Sequence, residues 1–235
     1  MKKNQGLDIE YLSFDLSTLL ADHSFLQDLA TFYCSIWMKD PNFGEYKKCP
    51  TCEKYYSEKD VEIDGITSCS GKGTSHPTAD LIPAWVPEQV ADEELIGNAT
   101  KYGDNFYGIY AIDKRTGKIV GFTWGWLESI EDIRAKWKDL IADDLGSSNS
   151  TYYSEIAVDP DKTYRGKGIG KELCSRLVMW MKSAQPDIPS FLRTHKDSYA
   201  KKMFESVGYR YFADDPQHGD GRIMLKVSQG QDLVP

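Results

Sequence analysis

Residues 165–170, which read RGKGIG, constrain the fold and chemistry of this chain more than any other segment. They stand between a predicted strand over residues 151–158 and a predicted helix that begins near Gly168. The strand is predicted from its alternating polar and apolar residues, and the helix from an apolar stripe with helical spacing. Glycines at a helix start let the backbone approach a ligand closely, and the first turn leaves several N–H groups without intrahelical partners. Cationic side chains add positive charge, namely Arg165, Lys167 and Lys171. The segment therefore predicts a pyrophosphate site.

The glycine spacing separates this loop from two common phosphate-binding motifs. A dinucleotide fingerprint requires G-x-G-x-x-G and a Walker loop requires G-x-x-x-x-G-K-[ST], and the loop fits neither. Arg165, Gly168 and Gly170 fit R-x-x-G-x-G, so the loop resembles the acyl-CoA pyrophosphate motif of the GNAT superfamily of N-acyltransferases. Residues 155–160 resemble the strand that leads into it, and residues 197–209 resemble the family's N-x-x-A-x-x-L-Y-E-x-x-G-F segment. A glycine-rich turn without a ligand is the alternative interpretation.

The resemblance covers about residues 105–228 and implies an α+β fold. In that fold a central mixed, mostly antiparallel sheet is flanked by helices, and strands four and five splay apart to hold the pantetheine arm of acyl-CoA. The periodicity of the chain predicts the compatible order β-α-α-β-β-β-α-β-α-β-β, with an extra helix over residues 130–145 before strand four. We expect one GNAT-like domain over residues 1–235, with an insertion at 41–83 where periodicity is lost.

Charge and hydropathy exclude several classes of function. The net charge of −8 argues against non-specific binding to nucleic acid, which depends on phosphate neutralisation by Lys and Arg. No stretch approaches the roughly 20 apolar residues of a membrane helix, and the start of the chain does not read as a signal peptide. We therefore expect a cytoplasmic protein without nucleic-acid or membrane partners. The resemblance implies acyl-CoA and an amine as substrates, and a homodimer remains open.

The resemblance also implies which backbone groups hold acyl-CoA. Amides at the end of the fourth strand are expected to bind pantetheine and polarise the thioester carbonyl, and we assign the oxyanion donor to the Val158 N–H. The full predicted cofactor-binding set is Ile156, Ala157, Val158, Arg165, Gly166, Lys167, Gly168, Ile169, Gly170 and Lys171.

Acyl transfer to an amine also requires a group that removes a proton from the amine. Glu155 lies on the fourth strand next to the expected reaction centre, which makes it a candidate base. His195 follows the fifth strand, and imidazole is suited to proton transfer near neutral pH. The alternatives are a salt-bridged Glu155, a surface role for His195 and a water relay.

The general acid departs from the family pattern. The resemblance implies a tyrosine that protonates the leaving thiolate, but the corresponding residue is Phe204, whose phenyl ring has no proton to give. Tyr199 and Tyr209 are the nearest replacements, and Tyr199 is our candidate acid. Two alternatives remain open, since the thiolate can leave unassisted and both tyrosines can serve only in packing and surface contacts.

The insertion contains the pattern of a metal site. Cys49 and Cys52 form a C-P-x-C knuckle, and Cys69 and His76 follow it, so the four residues predict a structural Cys₃His zinc site. A catalytic zinc is not expected, because four protein ligands leave no open position. The alternatives are a redox pair and unligated thiols. The remaining cysteines, Cys34 and Cys174, fall on apolar helix faces and are expected in the core.

These observations predict an acyl-CoA-dependent N-acetyltransferase. It would transfer an acetyl group from acetyl-CoA to a primary amine of a small molecule or protein, by direct attack in a ternary complex. The alternative is a catalytically weak GNAT-like scaffold that carries a zinc-binding interaction module. Phe204 and the cysteine insertion motivate that alternative.

Overall fold

The structure is a computed structural model that describes residues 7–39, 45–69, 78–136, 149–185, 188–215 and 222–227, without side chains at 136 and 222–227. The chain divides into two compact units. The sheet unit comprises Met1–Thr18 and Ala99–Pro235, and the helical unit comprises Leu19–Asn98. Among the described helices, none has the length and apolar character needed to cross a membrane.

The elements follow one another in this order: β1 (Ile9–Phe14), α1 (Leu16–Ala21), α2 (His23–Lys39), β2 (Lys47–Lys48), β3 (Tyr55–Tyr56), a π-helical turn (Lys59–Ile63), β4 (Ser68–Cys69), β5 (Ala79–Asp80), β6 (Ile82–Pro83), α3 (Pro87–Gln89), a π-helical segment (Val90–Gly97), α4 (Asn98–Tyr102), a 3₁₀ turn (Gly103–Asn105), β7 (Phe106–Asp113), β8 (Lys118–Ser129), α5 (Ile130–Lys136), β9 (Asn149–Val158), α6 (Ile169–Ala184), β10 (Ser190–His195), α7 (Tyr199–Ser206), β11 (Arg210–Asp214) and β12 (Arg222–Val227). The predicted helix over 130–145 is confirmed as far as Lys136, and its remainder lies outside the described residues.

Seven strands form one sheet in the sheet unit, in the order β1-β7-β8-β9-β10-β12-β11. All neighbouring pairs are antiparallel except β9 and β10, which are parallel. Because successive strand residues point to opposite faces, Tyr152 and Tyr153 mark the two sides of the sheet. Tyr153 packs with α6, and Tyr152 packs with Ile130 and Ile133 of α5. Helices therefore flank both faces, and the predicted α+β class with a mixed, mostly antiparallel sheet is confirmed.

Helix α6 packs closely on the sheet. Its predicted apolar stripe is buried, comprising Ile169, Leu173, Cys174, Leu177, Val178 and Met181. The approach depends on Gly121 in β8, because a Cβ there would lie only 2.9 Å from Leu173 Cδ1. Burial of this stripe supplies much of the hydrophobic stabilisation of the unit and fixes where the N-terminus of α6 meets the end of β9.

Strands β9 and β10 separate part-way along their length. Their pairing runs only from Thr151 opposite Ser190 to Tyr153 opposite Leu192, whereas the strands continue to Val158 and His195. A gap therefore opens between their carboxyl ends, which confirms the predicted splay of strands four and five. β9 also carries a bulge against β8, where the register shifts and Ser154 is the extra residue.

The segment predicted to be an insertion, residues 41–83, falls within the helical unit. Helix α2 packs against α3 and the π-helical segment that follows α3. Between them the described residues form the π-helical turn and five two-residue strands, which pair as β3-β2-β6 and β4-β5. The small core of this strand segment consists of Cys49, Tyr56, Cys69 and Leu81.

Candidate active site

The loop that follows β9 is held by a local network of hydrogen bonds. The carbonyl oxygen of Asp161 accepts bonds from the backbone N–H groups of Tyr164 and Arg165, each at 2.9 Å. The carboxylate of Asp161 accepts a bond from the Thr163 N–H at 2.7 Å, and this bond lowers the pKa of Asp161. The loop is thus fixed in one conformation before it reaches the glycines.

A second set of contacts ties the same loop to the end of β7. The Tyr164 hydroxyl donates to Asp113 Oδ2 at 3.1 Å. Asp113 is fully buried and accepts two bonds from the Arg115 guanidinium, at 3.1 Å and 2.9 Å. These bonds, with Arg115 as the main cause, lower the pKa of Asp113 to about 2. Sequence reasoning missed this anchor, because nothing in the sequence pairs residues so far apart.

The backbone at the start of α6 is open to solvent. Gly166 and Gly168 have φ values of +72° and +84°, in the left-handed region that favours glycine, and an added Cβ at either would meet no atom within 4 Å. Gly168 caps α6 without a side-chain hydrogen bond to the first turn. The first backbone bond runs from the Glu172 N–H to Gly168 O at 3.0 Å. The N–H groups of the first turn, at residues 169–171, precede this bond and can therefore face an anion.

Cationic side chains surround this helix start. Arg165, Lys167 and Lys171 are all exposed, so each can turn toward a bound anion. The guanidinium of Arg165 lies over the ring of Tyr199, with Arg165 Cζ 4.8 Å from the ring centroid. Tyr199 begins α7 and is 78% exposed. This contact connects the loop to the second helix that borders the gap.

The end of β9 directs backbone groups into the gap beside β10. The Asp159 N–H donates to Val120 O of β8 at 3.0 Å. Backbone groups of successive strand residues point in alternate directions, so the N–H groups of Ile156 and Val158 point away from β8. On that side β10 has already diverged. The predicted pantetheine-binding amides therefore face the opening, whereas the Ala157 N–H faces β8.

A buried hydroxyl cluster holds the bulge in β9. Thr123 Oγ1 lies 2.8 Å from the carbonyl oxygen of Glu155 and 2.7 Å from the Tyr153 hydroxyl. Thr123 and Tyr153 are both buried in the sheet. The cluster fixes the backbone on which Glu155 stands. Sequence reasoning missed it, because the two residues read as ordinary strand residues.

The two candidate bases lie on the two strands that diverge. Glu155 is half-buried and directly opposite Trp124, two residues beyond the last β9 residue that pairs with β10. His195 is the final residue of β10, and its Nδ1 accepts a bond from the Asp197 N–H at 3.2 Å. The structure thus places one titratable side chain on each side of the gap.

These features agree with the comparisons with known proteins. The sequence matches the model of the acetyltransferase (GNAT) family over residues 76–209, which is more than half of the chain. The protein belongs to the GNAT family. No curated protein matches its sequence.

Solved GNAT-like structures resemble this chain over nearly its whole length. A polyamine N-acetyltransferase from Drosophila melanogaster is 12% identical with a TM-score of 0.56, covering 94% of this chain and 100% of that one. A mosquito arylalkylamine N-acetyltransferase like 5b is 12% identical with a TM-score of 0.54, covering 93% and 99%. Escherichia coli ElaA is 15% identical with a TM-score of 0.51, covering 94% and 100%. At such identities the similarity shows the shared fold alone.

The residue at the usual tyrosine position of the GNAT motif is a core residue here. Phe204 is buried, and its ring packs edge-on against Tyr153 and Tyr209, with centroids 5.0 Å and 5.8 Å apart. Tyr209 is also fully buried, and burial raises its pKa while its hydroxyl lies 2.5 Å from Ser190 Oγ. Of the two replacement tyrosines, only the exposed Tyr199 can reach a ligand without repacking the core.

The predicted metal ligands come together in part. The sulfur atoms of Cys49, Cys52 and Cys69 all lie within 4.8 Å of one another in the helical unit. His76, the fourth predicted ligand, lies outside the described residues. Cys34 and Cys174 are buried on α2 and α6 as predicted, and burial raises their pKa values to about 11 and about 12.

Proposed function

We propose that this GNAT protein transfers an acetyl group from acetyl-CoA to a primary amine of a small molecule or protein. The start of α6 carries the proposal. There, Gly168 caps the helix in a left-handed conformation, and no side chain accepts a hydrogen bond from the first turn. Three exposed cationic side chains lie nearby, and the helix start follows the end of β9, where β9 and β10 have separated. This combination suits a diphosphate attached to a long arm.

The diphosphate of acetyl-CoA would accept hydrogen bonds from the first N–H groups of α6. Oxygen atoms of a diphosphate take the place that a capping side chain fills in other helices, and the helix dipole favours their negative charge. Arg165, Lys167 and Lys171 neutralise the remainder. Because the glycine backbone faces open space, the ligand can approach it without a steric barrier.

The pantetheine arm would then lie along β9 within the gap. The Ile156 N–H and Val158 N–H are its proposed partners, and the Val158 N–H is the proposed oxyanion donor. A positioned donor of this kind typically accelerates acyl transfer roughly 100-fold or more. Ala157 would contribute through its place between these two residues, since its own N–H faces β8.

The chemical step needs two proton transfers, one from the attacking amine and one to the leaving thiolate. The amine nitrogen attacks the thioester carbonyl after a base takes its proton, and the thiolate leaves and gains a proton. We propose Glu155 as the base, because it stands beside the bulge where the two strands diverge. His195 on the opposite strand is the second candidate, directly or through water. Tyr199 is the proposed acid, and its proximity to Arg165 gives it a further role in binding.

We also propose a cellular location and a class of second substrate. None of the five cysteines forms a disulfide, which supports a reducing, cytoplasmic location. The net charge of −8 supports an amine rather than a nucleic acid as the second substrate. A homodimer stays an expectation from the sequence.

Thiol release from acetyl-CoA across a panel of amines tests the proposed function. The panel should include polyamines, arylalkylamines and peptides with free N-termini or lysines, with CoA binding measured in parallel by calorimetry. Amine-dependent thiol release is the expected result. Tight CoA binding without turnover on any amine would instead favour the catalytically weak scaffold, for which the buried Phe204 is the supporting observation.

A further inference from the structure

The three clustered thiols of the helical unit have the spacing of metal ligands. Cys52 Sγ and Cys69 Sγ are 3.9 Å apart, and all three sulfur atoms lie within 4.8 Å of one another. Two Zn–S bonds of about 2.3 Å that meet at a tetrahedral angle separate their sulfur atoms by roughly 3.8 Å. The sulfur atoms therefore converge on a common centre.

The backbone turn at the first two thiols is shaped to present them together. The Glu53 N–H donates to Cys49 O at 3.0 Å, and the Cys49 N–H donates to Lys54 O at 2.9 Å, which closes a tight turn. Glu53 has a φ of +55°, and among the described residues it is the one non-glycine position with a positive φ. Such a conformation persists only where the surroundings demand it. A metal held by the two cysteines of this turn would be one such constraint.

The rest of the segment provides little else to hold it together. Among its described residues, 45–69 and 78–83, the buried core consists of Cys49, Tyr56, Cys69 and Leu81, and no strand exceeds two residues. A core of this size does not stabilise a fold by hydrophobic burial alone, and natural domains of this kind add a metal or disulfides. No disulfide is present among the described residues, which include all five cysteines.

The neighbours of the thiols suit a negatively charged metal centre. Tyr56 is buried in the same small core as Cys49 and Cys69, so its hydroxyl is a nearby donor that could orient and stabilise a thiolate ligand. Lys54 Nζ lies 5.0 Å from the centroid of the same tyrosine ring and adds positive charge nearby. A cluster of three thiolates and one Zn²⁺ carries a net negative charge, which this lysine partly offsets.

We propose that Cys49, Cys52 and Cys69 bind one structural Zn²⁺ as thiolates. Binding breaks the S–H bond of each thiol that is protonated, releases the protons to solvent and forms three Zn–S bonds, with no change of oxidation state. Electron donation from three thiolates makes the ion a poor Lewis acid, so its role is to hold the segment together. Tetrahedral zinc takes a fourth ligand in addition to these three thiolates.

Metal analysis of the purified full-length chain, prepared without a histidine tag under reducing conditions, tests this site. We expect one zinc per chain by elemental analysis and by native mass spectrometry. Each of Cys49→Ser, Cys52→Ser and Cys69→Ser should lose at least most of the zinc and melt at a lower temperature. Cys34→Ser is the matched control, because Cys34 is a buried thiol of the same unit outside the cluster, and this variant should keep one zinc.

A second measurement covers the case in which the serine variants fail to fold. The wild-type protein refolded with Co²⁺ should show the intense visible absorption of tetrahedral cobalt with thiolate charge-transfer bands. Wild-type protein without zinc, unaltered zinc content in all three variants, or octahedral cobalt without thiolate bands would overturn the proposal. None of these readouts involves acetyl transfer, so failure of the metal site and failure of the proposed enzyme are separate results.

Discussion

Replacement of Gly168 by aspartate is the sharpest perturbation of the proposed acetyl-CoA site. Gly168 has a φ of +84°, and an added Cβ would meet no heavy atom within 4 Å. A small side chain therefore enters open space, and the fold loses about 1–2 kcal/mol for the left-handed backbone, less for Asn and Asp, which tolerate it best. The substitution should leave a folded protein whose helix start carries one negative charge.

The size of the expected effect follows from Coulomb's law. Two unit charges about 5 Å apart repel by about 0.8 kcal/mol in water and by about 3 kcal/mol at an effective dielectric constant of 20. A diphosphate carries about two negative charges, so Gly168→Asp should weaken CoA binding by about 2–6 kcal/mol. Because about 1.4 kcal/mol is a factor of ten, the lower end of this range corresponds to a roughly 30-fold loss of affinity.

Isothermal titration calorimetry with CoA measures this loss, and Gly168→Asn is the matched control. Asn has nearly the shape of Asp and the same tolerance of the left-handed region, so the difference between the two variants isolates the charge. Added salt should narrow that difference, because the Debye length is about 8 Å at physiological ionic strength and about 3 Å at 1 M. Gly65→Asp is a second control, in the helical unit, since Gly65 also has a positive φ, of +69°, and an added Cβ there would meet no atom within 4 Å. Equal affinities for Gly168→Asp and Gly168→Asn would refute the reasoning.

Substitutions at three further residues test the remaining assignments. Glu155→Gln should lower kcat roughly 100-fold or more with little change in CoA affinity, because it removes the proposed base; an unchanged pH–rate profile would remove Glu155 from that role. Tyr199→Ala should raise the KM for acetyl-CoA several-fold, because Arg165 loses its ring contact. Tyr199→Phe keeps the ring and should restore that KM, and a fall in kcat for this variant alone would assign the hydroxyl to proton donation. The pKa of Asp113 is lowered to about 2, so its contribution to stability is complete above about pH 4 and is lost as the pH falls toward 2. Asp113→Asn should therefore be less stable than wild type in urea at pH 7, by a margin that shrinks between pH 4 and pH 2; a constant margin would contradict this.

The loop and its flanking elements were predictable because each has a strong local signal. The apolar stripe of α6 repeats with helical spacing, and it is buried as that spacing indicates. The glycines of the loop stand at the start of α6, and two of them, Gly166 and Gly168, have positive φ values. The splay of β9 and β10 came from family resemblance, since no periodicity in a sequence indicates where two distant strands stop pairing.

The parts that sequence reasoning missed are side-chain contacts between distant residues. Tyr164 and Asp113 are 51 positions apart in the sequence. They meet only because Asp113 ends β7 at the same end of the sheet from which the loop leaves β9. Thr123 and Tyr153 are 30 positions apart and pair across two strands whose bulge shifts the register. Ordinary polar and aromatic residues of this kind acquire a role from the tertiary fold, so their spacing in the sequence carries no signal.

A crystal structure with bound acetyl-CoA tests the central claim most directly. We predict that the diphosphate accepts hydrogen bonds from the first backbone N–H groups of α6 and that the thioester carbonyl faces the Val158 N–H between β9 and β10. Acetyl-CoA bound at another surface, with the start of α6 left to solvent, would contradict the account.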